Sequence, residues 1–392
     1  MREVAIIGVG MHPWGKFPDK NYIDMGVEAS TMALKDAGIE WKDVESVASG
    51  IYIWGSMGGF IPGQMLAGVM GETGVPITNI YNMCATATSV FRSAHQMVAS
   101  GQHDVALAVG LDASPAGFYG NIGFPDTKDP DYIRWKMVGC VNPGYWALEC
   151  RRRMDWYGTT ENHLAQAKIA VSKHGVLNPM ARYRKVFTKE EILKSPMVAD
   201  PLRLLMICAT SDGSAAAILC SKEKAKRFTN KPVIVAAATI GSSYYGDGLI
   251  RIPLESTVAK PTAPRLSESV SSSKQAYEKA GIGPKDVDVL ELPDNSSWHF
   301  LEYLELLDFC KPGEADKVAQ TEVAKVGKTV ICPSGGASSL GEAVSAQGLA
   351  MICECVWQLR GQAGERQVKN AKVAMSQTYG MLGNSGCAIF KT

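Results

Sequence analysis

The chain has 392 residues, 46% hydrophobic, 20% charged and 8% aromatic, which excludes a disordered tail or disulfide-stapled miniprotein and predicts two domains or one duplicated unit. Forty basic against thirty-nine acidic residues leave a net charge of +1, so no global field favours nucleic acid or an anionic membrane as partner. No apolar run approaches the ~18 residues that span a bilayer, residues 1–5 show no signal-peptide pattern, and ten dispersed cysteines read as reduced thiols of a cytoplasmic protein.

An apolar strand is expected over residues 4–9. Residues 32–47, MALKDAGIEWKDVESV, read as a helix ended by a glycine cap, then a turn and a strand. A further strand over 77–83 runs into Cys84 and the helix ATATSVFRSAHQMVAS, closed by Gly101, and a strand over 104–109 follows. Residues ~115–200 mix Pro, Asp, Trp and Tyr irregularly with the basic stretch Arg151–Arg153, a pattern expected of a cap or binding insertion rather than core. The charged run SKEKAKRFTNK at 221–231 reads as a solvated linker, dividing the chain into 1–225 and 226–392.

The second half repeats the first. After a strand over 233–239, residues 275–290 read QAYEKAGIGPKDVDVL and match 32–47 at seven of sixteen positions. A strand over 329–332 leads through the Gly-rich loop PSGGASSLGE into the helix AVSAQGLAMICECVWQLR, closed by Gly361, and a strand over 373–376. Both loop-entered helices carry small residues where a solvent-facing helix would be polar, so both are expected to be buried. The expected architecture is duplicated α/β, with five α-β-α-β-α layers in which two sheets sandwich a central helix pair.

Cys84 stands where a strand gives way to a helix. The free N–H groups and partial positive charge there lower a thiol pKa and can hold an oxyanion. A buried structural cysteine is the competing reading of the same residue. Glu342 occupies the corresponding place before the second central helix, as an acid/base or as simple dipole pairing. Asp294, Asn295 and Ser296 open the helix SSWHFLEYLELL, where an Asx or Ser cap is the plain reading, and His299 lies in its first turn. The other histidines have weaker claims. There is no phosphate-binding loop and no CxxC pair, so neither a nucleotide nor a zinc site is expected. The Gly-rich segments 334–341 and 380–386 read as turns that let backbone N–H groups approach a ligand.

Along its whole length the sequence resembles the thiolase superfamily, in its sterol-carrier/lipid-transfer branch. Asn82-Met83-Cys84-Ala85-Thr86 matches the nucleophile motif, Ser211-Asp212-Gly213-Ser214-Ala215-Ala216 the turn that closes the first half, and residues 348–368 the second-half helix and its exit. The resemblance implies a cysteine acyl-enzyme at Cys84, CoA as substrate, no permanently bound cofactor or metal, a homodimer, and a small zinc-ribbon/OB-fold partner subunit. It implies an oxyanion hole of backbone N–H groups at Cys84 and at Leu382, Gly383 and Asn384.

The sequence departs from the family at the other catalytic positions. The G-H-P motif reads Gly341-Glu342-Ala343, so the family histidine is replaced by Glu342. The N-E-A-F motif reads Pro293-Asp294-Asn295-Ser296, and the second cysteine falls on Gly380, with Cys387 seven residues late. Three outcomes fit these departures: a thiolase with acidic or polar replacements, a retro-aldolase of acyl-CoA side-chain degradation, and a non-catalytic scaffold. Retention of Cys84 favours the first. Within that branch the likeness extends to thiolases of anaerobic aromatic degradation, implying cleavage of benzoylsuccinyl-CoA to benzoyl-CoA and succinyl-CoA. Phe118, Tyr119, Trp135 and Trp146 would then line the pocket. With Glu342 as base, and Asp294, Asn295 and His299 behind it, about 4 pKa units separate an ordinary Glu from an ordinary Cys. Burial of Glu342 is therefore needed to close the gap.

Overall fold

The computed structural model describes residues 2–50, 59–114, 142–229, 231–244, 267–321, 323–380 and 383–392. Strand β1 (Val4–Met11) leads to helix α1 (Tyr22–Ala37), β2 (Ser46–Gly50), α2 (Pro62–Met70) and β3 (Ile77–Asn79). A 3-10 turn, Met83–Ala85, then opens α3 (Thr86–Ala99), followed by β4 (Val105–Ala113). Three helices come next, α4 (Asn142–Tyr157), α5 (Glu161–Gly175) and α6 (Lys189–Lys194), then a hairpin of β5 (Met197–Ala199) and β6 (Leu202–Arg203). β7 (Asp212–Ser221) and the short α7 (Lys222–Ala225) lead into β8 (Val233–Ser242). The remainder comprises α8 (Glu268–Ala280), β9 (Val289–Glu291), α9 (Ser297–Leu306), α10 (Ala315–Ala319), β10 (Lys325–Val326) and β11 (Thr329–Ile331). It ends with α11 (Gly336–Leu340), α12 (Gln347–Arg360), β12 (Val373–Gly380) and β13 (Asn384–Lys391).

The duplication is plain in the strand order. One half runs β1-β7-β4-β2-β3 and the other β8-β13-β12-β9-β11, with the same parallel and antiparallel pairings. The two join where β1 meets β8, antiparallel, at Ala5–Ile234 and Ile6–Val233. Helix α1 covers β1, β7 and β4 from outside, and α8 covers β8, β13 and β12. Helices α3 and α12 pack on each other and on strands of both halves, which gives the five layers expected.

Local chemistry explains the repeat. Asn21 caps α1, accepting from the Ile23 and Asp24 amides while the Asp24 carboxylate accepts from the Asn21 amide. The shared Ala-Gly-Ile supplies Gly38 and Gly281, left-handed caps at φ 68° and 64° that end α1 and α8. Central strands β4 and β7 are apolar and buried along almost their whole lengths because both faces are covered by helices.

Several expectations are corrected. The Gly-rich loop of the second half contains α11, and the helix expected from Ala343 begins only at Gln347, so Glu342 precedes α12 by five residues rather than standing immediately before it. Gly341, at φ 83°, breaks the helix there, and the Glu342 backbone pairs with Ala209 and Ser211 instead. The expected cap insertion is in good part core. Tyr145, Trp146, Cys150, Leu164 and Val171 are buried with Trp298, Phe300 and Leu301 of the second half. Arg153 of the basic stretch is buried too, paired with Glu305 and Asp316. β12 runs on past residue 376 to Gly380.

Helices α1 and α8 sit unusually close to their sheets. A Cβ on Gly10 would lie 2.2 Å from the Ala29 carbonyl oxygen, and one on Gly241 would lie 2.4 Å from that of Glu268. Backbone atoms cannot yield as a flexible side chain can. Gly10→Val should therefore cost about 3 kcal/mol of stability, read as a lowered urea midpoint at constant slope. An unchanged midpoint would contradict this packing.

Candidate active site

Cys84 lies in the 3-10 turn that opens α3. The residue before it, Met83, has φ 47°, a left-handed conformation seldom taken by a side-chain-bearing residue. The turn is pinned by short bonds: the Asn82 amide donates to Thr86 Oγ1 at 2.8 Å, Asn82 Nδ2 to Ser89 Oγ at 2.8 Å, and the Ala85 amide to the Asn82 carbonyl at 3.0 Å. Cys84 is partly accessible, whereas residues 85–88 are buried. The thiol thus stands at the edge of the interior, beside the first free N–H groups of a buried helix.

The end of β12 closes over it. A Cβ at Gly380 would lie 2.9 Å from the Cys84 nitrogen and 2.1 Å from Asn384 Oδ1. The Asn384 amide therefore occupies space that a side chain at 380 would need. Gly383, at φ 79°, turns the hairpin, and Leu382 lies outside the described residues. Thr88 and Thr378 hydroxyls, 2.9 Å apart, tie α3 to β12. Cys387 is buried within β13 opposite Gln377, and burial pushes its thiol pKa up.

Glu342 is 2% exposed. Its amide donates to the Ala209 carbonyl and its carbonyl accepts from the Ser211 amide, both at 2.8 Å. Ser211 also donates to the Leu340 carbonyl at 3.1 Å, so the Ser-Asp-Gly turn of the first half clasps the loop that carries Glu342. Cys208 donates from Sγ to Glu342 Oε2 at 3.5 Å, and Asn295 Nδ2 reaches the same sulfur at 3.9 Å. The Cys208 amide donates to the Asn295 carbonyl at 2.9 Å. Asn295 and Glu342 are thus brought together around a second cysteine.

Asp294 is turned to other work. Its carboxylate accepts from the Ala337 amide at 2.6 Å and the Ser338 amide at 3.3 Å, holding the start of α11. Burial pushes its pKa up to about 6, against those two amides and the charge of Lys168. Lys168, itself buried and brought down to about 8, donates to the Ser338 carbonyl at 2.6 Å.

His299 is fully buried, and burial holds its pKa well below the usual range. Its Nδ1 lies 2.8 Å from Ser296 Oγ, the cap of α9, and its Nε2 lies 3.1 Å from the Tyr379 hydroxyl. Trp146 Nε1 donates to the same hydroxyl at 3.0 Å. Burial first, then the charges of Cys84 and Glu342, raise the Tyr379 pKa well above its ordinary value. His299 therefore stands behind Tyr379, and Tyr379 within electrostatic reach of both Cys84 and Glu342.

Sequence reasoning missed Tyr379, Cys208, Lys168 and Asp112. Only Tyr379 carried a signal, since it directly precedes the glycine where the second cysteine was expected. Phe118, Tyr119 and Trp135 lie outside the described residues, and Trp146 is a buried hydrogen-bond donor.

Asp112, at the end of β4, is buried. Its carboxylate accepts from the Ser345 amide at 3.0 Å and the Ser114 hydroxyl at 3.2 Å. Burial lifts its pKa to about 7, the amide of Ser345 and the hydroxyls of Ser114 and Ser345 lower it, and the charge of Glu342 adds to the rise. As pH climbs from about 4, the unfolded chain loses this proton before the folded one, so folding stability falls until about pH 7 and then levels off. The melting temperature of Asp112→Asn, relative to the parent, should accordingly rise across that window and stay flat above it. A constant difference would contradict the assignment.

Comparison with known proteins agrees with this geometry. The family descriptions "Thiolase, N-terminal domain" and "Thiolase C-terminal domain-like" match residues 4–116 and 255–392. An acetyl-CoA acetyltransferase of Methanothermobacter thermautotrophicus is 32% identical over 98% of each chain. Sterol carrier protein 2 of Oryctolagus cuniculus is 33% identical, covering 99% of this chain and 72% of its own. The solved Ltp2-ChsH2(DUF35) aldolase superposes with a TM-score of 0.82 at 25% identity, covering 99% of this chain and 98% of its own. With the duplicated sheet order and Cys84 at the mouth of a buried helix, these likenesses place the chain in the thiolase superfamily, in its sterol-carrier-protein-like branch, as an acyltransferase of acyl-CoA chemistry.

Proposed function

We propose that the chain cleaves a 3-oxoacyl-CoA with CoA, through an acyl thioester on Cys84. The single observation that carries this is a part-accessible thiol at the start of a buried helix, with Gly380 at the end of β12 set against its amide nitrogen. Glu342 takes the Cys84 proton, and the thiolate attacks the 3-oxo carbonyl. Backbone N–H groups of Cys84, Gly383 and Asn384 hold the resulting oxyanion. The carbon–carbon bond then breaks, and CoA resolves the acyl-enzyme. Glu342 is buried and accepts from Cys208 Sγ, which supports its role by holding the carboxylate in one place inside the protein. Asn295 and Cys208 hold Glu342 in place, while Asp294 and Lys168 brace α11 behind it.

The acyl substrate in this reading is benzoylsuccinyl-CoA, split into benzoyl-CoA and succinyl-CoA in anaerobic aromatic degradation. The paired name of the similar aldolase supports a small zinc-ribbon/OB-fold partner subunit. β3 is an edge strand, and Phe60, Ile61, Met65, Val69 and Tyr81 beside it are exposed, which supports a second copy of the chain as dimer partner. A cytoplasmic location goes with nine free cysteines among the described residues. The likeness to the aldolase favours a second reading, retro-aldol cleavage of an acyl-CoA side chain.

Intact-mass measurement after adding acetoacetyl-CoA or benzoylsuccinyl-CoA should show an acyl increment that Cys84→Ala abolishes, together with CoA-dependent product. Release of a free aldehyde or ketone without CoA consumption would instead establish the aldolase. Glu342→Gln should lower kcat for thiolysis about 10²-fold or more. A change of only a few-fold would reduce Glu342 to a structural role.

A further inference from the structure

Gly380 and Asn384 face each other as the last pair of the β12–β13 ladder. Directly opposed residues of an antiparallel pair project to the same side of the sheet. One pair further in, that side meets the Cys84 helix. Thr378 and Thr88 hydroxyls are 2.9 Å apart, and a Cβ on Gly386, the partner of Thr378, would lie 2.5 Å from Thr88 Cγ2. At Gly380 the same side reaches the Cys84 turn, where a Cβ would lie 2.9 Å from the Cys84 nitrogen and 2.1 Å from Asn384 Oδ1. We propose that the Asn384 carboxamide is a catalytic residue, a side-chain donor that joins the Cys84 backbone N–H in holding the oxyanion formed on the 3-oxo carbon. The inference rests on the thiolytic reading of Cys84 and deepens it.

The geometry fits a shared oxygen. Cys84 N and Asn384 Oδ1 crowd the same point beside Gly380, so they are no more than about 5 Å apart, a spacing from which two groups can both reach one oxygen at ordinary hydrogen-bond length. A side chain at 380 and one at 384 compete for that volume, and glycine at 380 leaves it to the carboxamide. The root of the side chain is held firmly. Asn384 pairs with Gly380 on one side and with Ser242 of β8 on the other, and the Ser243 amide donates to the Gly383 carbonyl at 3.2 Å. A donor mounted on an interior strand is positioned more closely than one on a loop. Asn384 is half-buried, as Cys84 is, so an acyl group arriving at the thiol can touch it.

In the resting chain the carboxamide turns Oδ1 toward Gly380 and the Cys84 nitrogen, as an acceptor does beside the N–H groups of a helix start. An oxyanion bonded to those N–H groups repels that oxygen. A half-turn about the Cβ–Cγ bond exchanges Oδ1 for Nδ2, because the two ends of a carboxamide have nearly the same size and shape. Nδ2 then donates where negative charge develops. The carboxamide neither gains nor loses a proton, so the proton taken from Cys84 stays with Glu342. Its contribution is electrostatic, and it acts on the tetrahedral intermediates of both acyl transfer to Cys84 and release to CoA.

The test uses the full chain, alone and with the proposed partner subunit, on acetoacetyl-CoA and benzoylsuccinyl-CoA. Asn384→Ala should lower kcat for thiolysis by about 10²-fold with little change in KM. Alkylation of Cys84 by iodoacetamide displaces iodide and forms no oxyanion, so its rate in Asn384→Ala should stay within a few-fold of the parent. Asn384→Asp keeps the shape of the side chain and loses both donors while ionised. Its kcat relative to the parent should be lowest at alkaline pH and rise as pH falls, because the protonated carboxyl donates again. Equal loss of thiolysis and alkylation in Asn384→Ala, retention of both, or a ratio for Asn384→Asp that does not change with pH would overturn the assignment. Failure of the underlying reading shows with Asn384 intact: in that case Cys84→Ala would still turn over.

Discussion

Two helices buried between the two halves of the sheet form the constraint on which the rest depends. A helix covered on all sides cannot begin at the surface, so its unsatisfied N–H groups are delivered to the interior. In this chain α3 is held in that position by α12 and by strands of both halves. The helices come close at Gly348, where a Cβ would lie 2.5 Å from Thr88 Oγ1, and Phe91 meets Phe390 edge to face at 5.8 Å. Cys84 owes its setting to this packing. The same sulfur at a surface helix start would feel a dipole screened by water.

Desolvation does the rest of the electrostatic work. Glu342, Asp112 and Tyr379 converge from a loop and the ends of two strands, and none is free to hydrate fully. Burial makes each charge costly, so protonation of one alters the others: Glu342 raises Asp112, and Glu342 with Cys84 raises Tyr379.

The loops that carry these groups are braced across the duplication. Ser211 of the first half clasps the Glu342 segment, Asp294 holds α11, and Asn178 Nδ2 donates to the Ser334 carbonyl at 2.8 Å. The insertion contributes Lys168 and Trp146 from inside the core rather than from a lid. Its helices are therefore part of the site's rigid backing, which is why Trp146 faces Tyr379 instead of solvent.

Much was determined by the sequence alone. The repeated Ala-Gly-Ile with its following Lys-Asp-Val specified two equivalent helix exits, because only glycine closes a helix in the left-handed conformation without strain. The small residues after Cys84 and Glu342 specified burial of the segments that follow. The motif around Cys84 marked the turn that opens α3 and presents a part-accessible thiol. These are local signals, carried by neighbours in the chain. Tertiary structure decided what no local pattern holds. Asp294 became a cap for α11 because residue 337 lies within its reach, and His299 became a support for Tyr379 rather than a group facing the thiol. Cys208 came to touch Glu342 from 134 residues away. Which side chains share a desolvated volume depends on how distant strands end against one another, and a linear sequence does not list those distances.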